Sequence, residues 1–274
     1  MGKKLLLVLT AAVLALSATG CAGIRALIDG IAAEPSGDKP VASEQLPAES
    51  EPESEPEPTV DYDAQLALLA ANYELWVSHD EYEPYSYTVT DLDQNGRLEV
   101  IVSACLGTGH FSYNDVWEVN EALDGVTQCT TTINEAMQPD LTFVTETTAY
   151  YNELTGRYSY IFSDAMRNGA AEYLITTMEV TLSDGALTAS QLAGMLERYS
   201  PDTDESTVVY YTADESLTEE QFLSIADTVF ANCEKYHAAF NWATYTPDEI
   251  ASMDEAAWLS TLQTLWQSFS LERE

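Results

Sequence analysis

The stretch that decides the fold is YSYTVTDLDQNGRLEVIV, residues 85–102. Alternating and β-branched residues at its two ends predict strands over 85–90 and 100–102. Asn95-Gly96 between them is a strong turn signal, because both residues adopt positive φ at little cost. The stretch therefore predicts an antiparallel pair of strands that is joined by an acidic loop.

The loop carries oxygen-bearing side chains at its first, third and fifth positions, a glycine at the sixth and a glutamate at the ninth. Compact loops present oxygens to Ca²⁺ with this spacing, and the glycine permits the sharp turn. The pattern predicts a calcium site with five ligands. These ligands are the side chains of Asp91, Asp93 and Asn95, the backbone carbonyl of Arg97, and Glu99 either directly or through water.

The loop is not an EF-hand, because the twelfth position is Val102 rather than a bidentate glutamate and both flanks are predicted strands. Asp115, further along the chain, is a candidate to complete the ligand shell. A metal bound here would have a structural rather than a catalytic role. The alternative is a tight polar turn whose acids are only solvated, since Asp-Gln-Asn-Gly makes a good turn without any metal.

The segment DLDQNGRLEVIV, residues 91–102, resembles the D-x-D-x-[DN]-G-x-x-[DE]-L-x-V loop of FG-GAP and VCBS-type β repeats. It is also similar to the single loop of this kind in a group of bacterial surface lipoproteins. The resemblance implies a strand-joining loop that binds calcium through its acidic positions. Asn95 replaces the commoner aspartate and Val100 the usual leucine, and the motif occurs once, so the resemblance does not imply a propeller.

The first twenty residues are typical of a secretory signal, with a basic start at Lys3 and Lys4 and a short apolar core, Leu5–Leu16. The following Ala-Thr-Gly-Cys ends at Cys21 and resembles the lipobox of bacterial lipoproteins, with Ala18 in the usual leucine place. This resemblance implies a lipid such as palmitate on Cys21, which would anchor the protein to the extracytoplasmic face of the cell membrane. The alternative is an ordinary signal peptide with a chance cysteine.

Residues 21–60 are predicted to be a tether, because 33–60 are low in complexity and rich in Glu, Ser and Pro. Residues 61–274 are predicted to form the extracytoplasmic domain. The net charge of the chain is −36, from 46 acidic and 10 basic residues. Such a charge repels nucleic acid and anionic lipid, so neither is expected as a partner, whereas it attracts cations.

The predicted fold class is α+β, with an N-terminal helix, an antiparallel β-meander forming a twisted sheet or part of a barrel, and C-terminal helices. Apolar spacing predicts a helix over 62–78 and a short helix over 189–199. Capping patterns at Thr218, Thr246 and Ser252 predict the last helices, the first of them reaching Phe240. The remaining predicted strands are Val116–Val119, Val126–Thr132, Leu141–Val144, Tyr158–Phe162, Tyr173–Leu182 and Val208–Tyr211.

These features favour a binding or interaction module of the cell envelope, with an extracellular peptide, glycan or protein as its ligand, over an enzyme. The runner-up is an extracellular hydrolase of glycans or cell wall, but no serine lies in a nucleophile elbow, and pairs of acids carry no weight among 46. A solute-binding subunit of a transporter is disfavoured, because such subunits are usually larger, two-lobed and α/β.

Three further features have open interpretations. The segment 107–115, with glycines, aromatics and His110, is either a binding loop or an ordinary connection. Cys105 and Cys129 could pair or be small buried residues, and His237 is predicted at the edge of a helix core. Tyrosines on strands could stack on a ligand or pack half-buried in the sheet, and they are Tyr85, Tyr87, Tyr150, Tyr151, Tyr158 and Tyr160.

Overall fold

The computed structural model describes residues 60–78, 84–106, 111–131, 141 and 144–274, with backbone alone at 105–106 and 111–112. These residues belong to one compact unit, Glu57–Glu274. The predicted signal, the lipidation at Cys21, the tether before Val60, and His110 in its loop lie outside the described residues.

Six helices and fourteen strands make up the described chain. The helices are α1 (Tyr62–Ala71), α2 (Tyr73–Trp76), α3 (Glu219–Leu223), α4 (Ile225–Val229), α5 (Pro247–Ser252) and α6 (Glu255–Trp266). The strands are β1 (Tyr85–Thr90), β2 (Glu99–Leu106), β3 (Phe111–Val119), β4 (Val126–Gln128), β5 (Thr130–Thr131), β6 (Glu146–Asn152), β7 (Arg157–Asn168), β8 (Glu172–Ser183), β9 (Ala186–Ser200), β10 (Glu205–Tyr211), β11 (Ser216–Leu217), β12 (Glu234–Ala239), β13 (Ala243–Tyr245) and β14 (Ser270–Arg273).

The first sheet has five antiparallel strands in the order β13-β1-β2-β3-β4. The helices α1 and α6 cover one of its faces. Trp258 of α6 lies at the centre of this layer, with ring centroids 4.8 Å from Trp76 and 4.9 Å from Tyr87. Leu66 and Leu69 of α1 are buried in the same cluster. Burial of these large side chains holds the helices on the sheet.

The second sheet has nine strands, eight of them in the order β11-β10-β9-β8-β7-β6-β12-β14, while the short β5 pairs in parallel with β9. Its inner face packs against the other face of the first sheet. Ile101 and Val116 of the first sheet share a buried cluster with Tyr160, Phe162 and Val180 of the second. Both sheets are open, and the mixture of antiparallel sheets and helices confirms the α+β class.

The predicted helix over 189–199 is wrong, because these residues lie in β9. A bulge leaves an extra residue in β9, since Thr177 of β8 faces Ala193 while Met178 faces Gln191. The bulge shifts the apolar alternation by one position, which produces the helix-like spacing of the sequence. Gly194 in this strand touches another strand closely, as a Cβ there would lie 2.5 Å from the ring of Tyr211.

The predicted helix from Thr218 to Phe240 is also wrong in its second half. Its capping box is present, with Thr218 and Gln221 bonding each other's backbone, but the helical region ends at Val229. Residues Glu234–Ala239 form β12 instead, so His237 is on a strand. Pairing of β12 with both β6 and β14 overrides the local helical pattern, as tertiary contacts often do for short segments.

The other predicted elements agree with the structure apart from details. The helix over 62–78 is divided at Asn72 into α1 and α2. The Thr246 cap is confirmed, with Pro247 at the first helical position, whereas α6 is capped by Asp254 rather than Ser252. Leu141 and Val144 are not in a strand, in contrast to the prediction for 141–144.

Candidate metal centre

The acidic stretch forms the connection between β1 and β2, and Asp91–Leu98 is called the β1–β2 loop below. The loop begins after Thr90, which pairs with Glu99 across the two strands. The chain turns sharply at Gln94 and Gly96, whose φ angles are 56° and 80°. Gly96 fits this conformation because it has no Cβ, so the predicted role of the glycine is confirmed.

Helix α1 holds the loop through Gln65, which is buried. The Gln65 side-chain nitrogen donates to the Gly96 carbonyl at 2.7 Å, and its Oε1 accepts from the Leu98 N–H at 2.8 Å. The second sheet contacts the loop as well, since the Tyr160 hydroxyl donates to the Leu92 carbonyl at 2.7 Å. The loop is therefore fixed from both sides by elements that are distant in sequence.

Three carboxylates converge in the loop and could hold a metal ion. Asp91, Asp93 and Glu99 each offer one oxygen, and these oxygens lie within 4.8 Å of one another. Asp91 is 3% exposed and Glu99 is 0% exposed, while Asp93 is half-buried. Glu99 points between the two sheets, on the same face of β2 as the buried Ile101.

Each of the two buried acids has one satisfied and one unsatisfied oxygen among the described residues. Asp91 Oδ2 accepts from the Gly96 N–H at 3.1 Å, and Glu99 Oε2 accepts from the Thr90 hydroxyl at 2.9 Å and the Leu92 N–H at 3.1 Å. Asp91 Oδ1 and Glu99 Oε1 have no hydrogen-bond partner there. A buried polar atom without a partner is costly, and a bound cation would remove that cost.

Burial and mutual repulsion make these acids hard to ionise without a cation. Burial, with the charge of Asp93 added, raises the pKa of Asp91 to about 6. Burial first, and then the charges of Asp91 and Asp93, raise the pKa of Glu99 well above its usual range. Burial and the charge of Glu118 raise the pKa of Asp93. A nearby positive charge would lower the pKa values of all three acids.

Asn95 is another predicted ligand, and Arg97 is predicted to bind through its backbone carbonyl; the side chains of both residues make contacts within the protein. Asn95 Oδ1 accepts from the Arg97 N–H at 2.7 Å, and its Nδ2 donates to Asp93 Oδ2 at 3.0 Å. The Arg97 guanidinium donates to both oxygens of Glu118 at 2.9 Å. Asp115, the other candidate, accepts from the Tyr113 hydroxyl and the Gln128 amide. The structure thus brings together Asp91, Asp93 and Glu99 of the predicted set.

Glu118 contacts the β1–β2 loop beside the three carboxylates but is absent from the sequence prediction. It is 8% exposed on β3, directly across from Glu99, and Asn95 Nδ2 donates to its Oε1 at 2.7 Å. The signal was the alternation of β3, which places Glu118 on the same face as the buried Val116. Thr90, which faces Glu99 across the hairpin, was also missed, and so were Gln65 and Tyr160, whose contacts with the loop depend on the tertiary fold.

The remaining sequence candidates do not form a second site in the described part of the chain. Cys129 and Cys233 are free thiols, and burial raises the pKa of Cys129 to about 12. The segment 107–115 is a strand from Phe111 onward. Most of the strand tyrosines are packed rather than displayed, since Tyr85, Tyr87, Tyr150 and Tyr160 are each at most 4% exposed.

Carboxylate oxygens are the ligands of hard cations such as Ca²⁺, Mg²⁺ and Mn²⁺.

Comparison with known proteins found no family model that matches the chain, no curated protein similar to it and no solved structure similar to it. Of the helices in the described ranges, none combines the length and apolar character that crossing a membrane requires.

Proposed function

We propose that this chain is a lipid-anchored protein on the extracytoplasmic face of the cell membrane, that its β1–β2 loop binds calcium, and that its domain binds an extracellular ligand. The sequence supports the anchor through the apolar run Leu5–Leu16 followed by Ala-Thr-Gly-Cys. The acidic, Pro-containing segment before Asp61 suits a spacer between the anchor and the domain.

The observation that carries the metal proposal is the fully buried Glu99 with an unpartnered oxygen beside Asp91 and Asp93. Calcium fits this site better than magnesium, because calcium accepts irregular shells of six to eight oxygens whereas magnesium demands a near-ideal octahedron and keeps its waters. Extracellular modules bind calcium with Kd values of about 10⁻⁴ to 10⁻³ M, so even a weak site would be filled outside the cell.

The contacts of the loop support a structural role for calcium. The loop is bonded to α1 through Gln65 and to β7 through Tyr160, and Glu99 lies between the two sheets. An ion that joins Asp91, Asp93 and Glu99 would hold these elements together. Because the ion binds the folded state only, it would stabilise that state by mass action.

Isothermal titration of the full chain with Ca²⁺ and with Mg²⁺ tests the metal. We expect Ca²⁺ to bind more tightly than Mg²⁺, and Asp93→Asn to weaken Ca²⁺ binding at least tenfold because it removes a ligand charge. Asp184→Asn is the matched control, since Asp184 also follows a strand but has a side chain that is 90% exposed. Equal heats for wild type and Asp93→Asn would contradict calcium binding at this loop.

The anchor is tested separately by cell fractionation. Cys21→Ala is expected to release the protein from the membrane into the soluble fraction, because the lipid has no other attachment point in the proposal. Ala42→Ser, a substitution elsewhere in the tether, is the control and should leave the protein membrane-bound. A membrane-bound Cys21→Ala protein would rule out lipidation at this cysteine.

A further inference from the structure

The outer face of the second sheet contains a groove that is distant in sequence from the β1–β2 loop. Its cavity has a volume of about 310 Å³, which is at the small end of the range for ligand clefts. The floor is made by outward-pointing side chains of three neighbouring strands, Ser159 of β7, Glu179 and Thr181 of β8, and Thr188 and Ser190 of β9. Phe230, at the end of α4, forms a wall.

We propose that this groove binds a neutral saccharide. The proposal rests on the proposed function, because it names the class of extracellular ligand that the domain binds. Four features of the protein support it: the fixed polar floor, the supported aromatic wall, the chemistry of the lining, and the charge of the chain.

The polar floor is held in place by its own hydrogen bonds. The Ser159 hydroxyl donates to Glu179 Oε1 at 2.6 Å, and the Ser190 hydroxyl donates to Glu179 Oε2 at 3.1 Å. The Thr181 and Thr188 hydroxyls lie 3.0 Å apart and share a hydrogen bond. A carboxylate can accept about four hydrogen bonds, so Glu179 keeps acceptor capacity for a ligand. Its position is fixed before any ligand arrives, which reduces the ordering cost of binding.

The aromatic wall is also supported. Phe230 stacks on Tyr150 of β6 with ring centroids 4.8 Å apart and an interplanar angle of 18°. The Tyr150 hydroxyl donates to Asp227 at 2.7 Å, and Lys235 donates to the same carboxylate at 3.0 Å. These bonds tie α4 to the sheet and hold the Phe230 ring at the edge of the groove. The ring offers an apolar surface to the C–H face of a sugar ring.

The lining selects the ligand class. It mixes hydroxyl, amide, carboxylate and guanidinium groups, so it presents both donors and acceptors. An apolar ligand would remove these groups from water without replacing their hydrogen bonds. An anionic ligand would be repelled by a chain of net charge −36. A neutral ligand with many hydroxyls satisfies both conditions.

Binding rather than cleavage is inferred, because Glu179 is the only carboxylate among the described residues that line this groove. Glycoside hydrolysis by the common mechanism uses two carboxylates on either side of the scissile bond. The groove is therefore assigned to recognition of a sugar.

The test is isothermal titration of the full chain, in calcium, with the neutral oligosaccharides cellotetraose, chitotetraose and maltotetraose, and with tetragalacturonate as an anion of similar size. We expect at least one neutral oligosaccharide to bind at concentrations up to about 10 mM, and tetragalacturonate not to bind. Glu179→Gln should weaken the binding about tenfold, because a charged hydrogen-bond acceptor is lost. Glu205→Gln, at an exposed position of β10, is the matched control and should bind as the wild type does.

A second variant keeps the test decisive if Glu179→Gln is poorly folded. Thr188→Arg, at an exposed strand position, fills the groove and should abolish binding while the melting temperature stays close to that of the wild type. The proposal is overturned if no neutral oligosaccharide binds, if tetragalacturonate binds as well as they do, or if both variants bind unchanged. The Asp93→Asn variant distinguishes the two sites, because its calcium binding should be weakened while it binds the oligosaccharide as the wild type does.

Discussion

The β1–β2 loop and the turn between β8 and β9 both contain a turn dipeptide, Asn95-Gly96 in the first and Asp184-Gly185 in the second, but their acidic side chains are buried to very different extents. Asp184 and Gly185 alone connect the paired residues Ser183 and Ala186, and both have positive φ, 53° and 70°. The Asp184 side chain is 90% exposed. In the β1–β2 loop, by contrast, Asp91 is 3% exposed and reaches into the fold.

The contrast shows what a turn signal does and does not explain. A solvated acid such as Asp184 needs no partner, so a polar turn accounts for it completely. Asp91 and Glu99 are buried, and each leaves one oxygen without a hydrogen bond in the described structure. A polar turn gives no reason for that arrangement, whereas a cation site does. The variants below test whether the β1–β2 loop behaves as a buried site rather than as an exposed turn.

The largest expected effect concerns the two hydrogen bonds through which Gln65 of α1 holds the β1–β2 loop. Gln65→Ala leaves the Gly96 carbonyl and the Leu98 N–H without their partner, so we expect a loss of about 4 kcal/mol of unfolding free energy. Gln128→Ala, at an exposed position of β4, should cost less than about 0.5 kcal/mol. Urea unfolding of both variants measures the difference. Equal midpoints for the two variants would show that α1 does not hold the loop.

The next effect is a dependence on pH in the metal-free protein. Since the pKa of Asp91 is raised from 3.8 to about 6, the folded state holds a proton through a window in which the unfolded state has lost it. Stability therefore falls as pH rises from about 4 to about 7, by about 3 kcal/mol for this group. The pKa values of Asp93 and Glu99 are shifted in the same direction.

Urea unfolding in chelator at several pH values, for wild type and Asp91→Asn, isolates this contribution. Wild type should lose stability relative to Asp91→Asn as pH rises through the window. Asp184→Asn should follow the wild type throughout, because Asp184 is solvated. A constant difference between wild type and Asp91→Asn would mean that Asp91 is not buried as described.

The smallest effect compares the two turn glycines. Gly96→Ala forces alanine to a φ of 80° and brings its Cβ to 3.2 Å from Val60, so about 2 kcal/mol should be lost. Gly185→Ala meets nothing within 4 Å and carries the φ penalty alone, about 1 kcal/mol. Melting temperatures of both variants test the order. A larger loss at Gly185 would contradict the tight packing of the β1–β2 loop.

The sequence was informative where local patterns decide the structure. The hairpin around Asn95-Gly96, the capping box at Thr218 and the cap at Thr246 depend on neighbouring residues, and all three are present. The predicted helix over 189–199 and the second half of the predicted helix from Thr218 to Phe240 are wrong because strand pairing across the second sheet outweighs an apolar spacing that also fits a helix.

The candidate site was predictable only in part for the same reason. Spacing alone places Asp91, Asp93 and Glu99 around one point, and the structure agrees. The opposite position of Glu118 depends on the register of β2 with β3, and the contacts of Gln65 and Tyr160 depend on how α1 and β7 pack. No local pattern in the sequence contains that information.

The most direct test of the central claim is the unfolding free energy of wild type and Glu99→Gln, each in calcium and in chelator at neutral pH. With calcium about a hundredfold above its Kd, wild type should gain about 3 kcal/mol over chelator. Glu99→Gln should lose most of this gain, yet be no less stable than wild type in chelator, because glutamine keeps the shape of the side chain and removes a buried acid that is costly to ionise. A wild type that gains nothing from calcium, or a Glu99→Gln protein that keeps the full gain, would contradict the account.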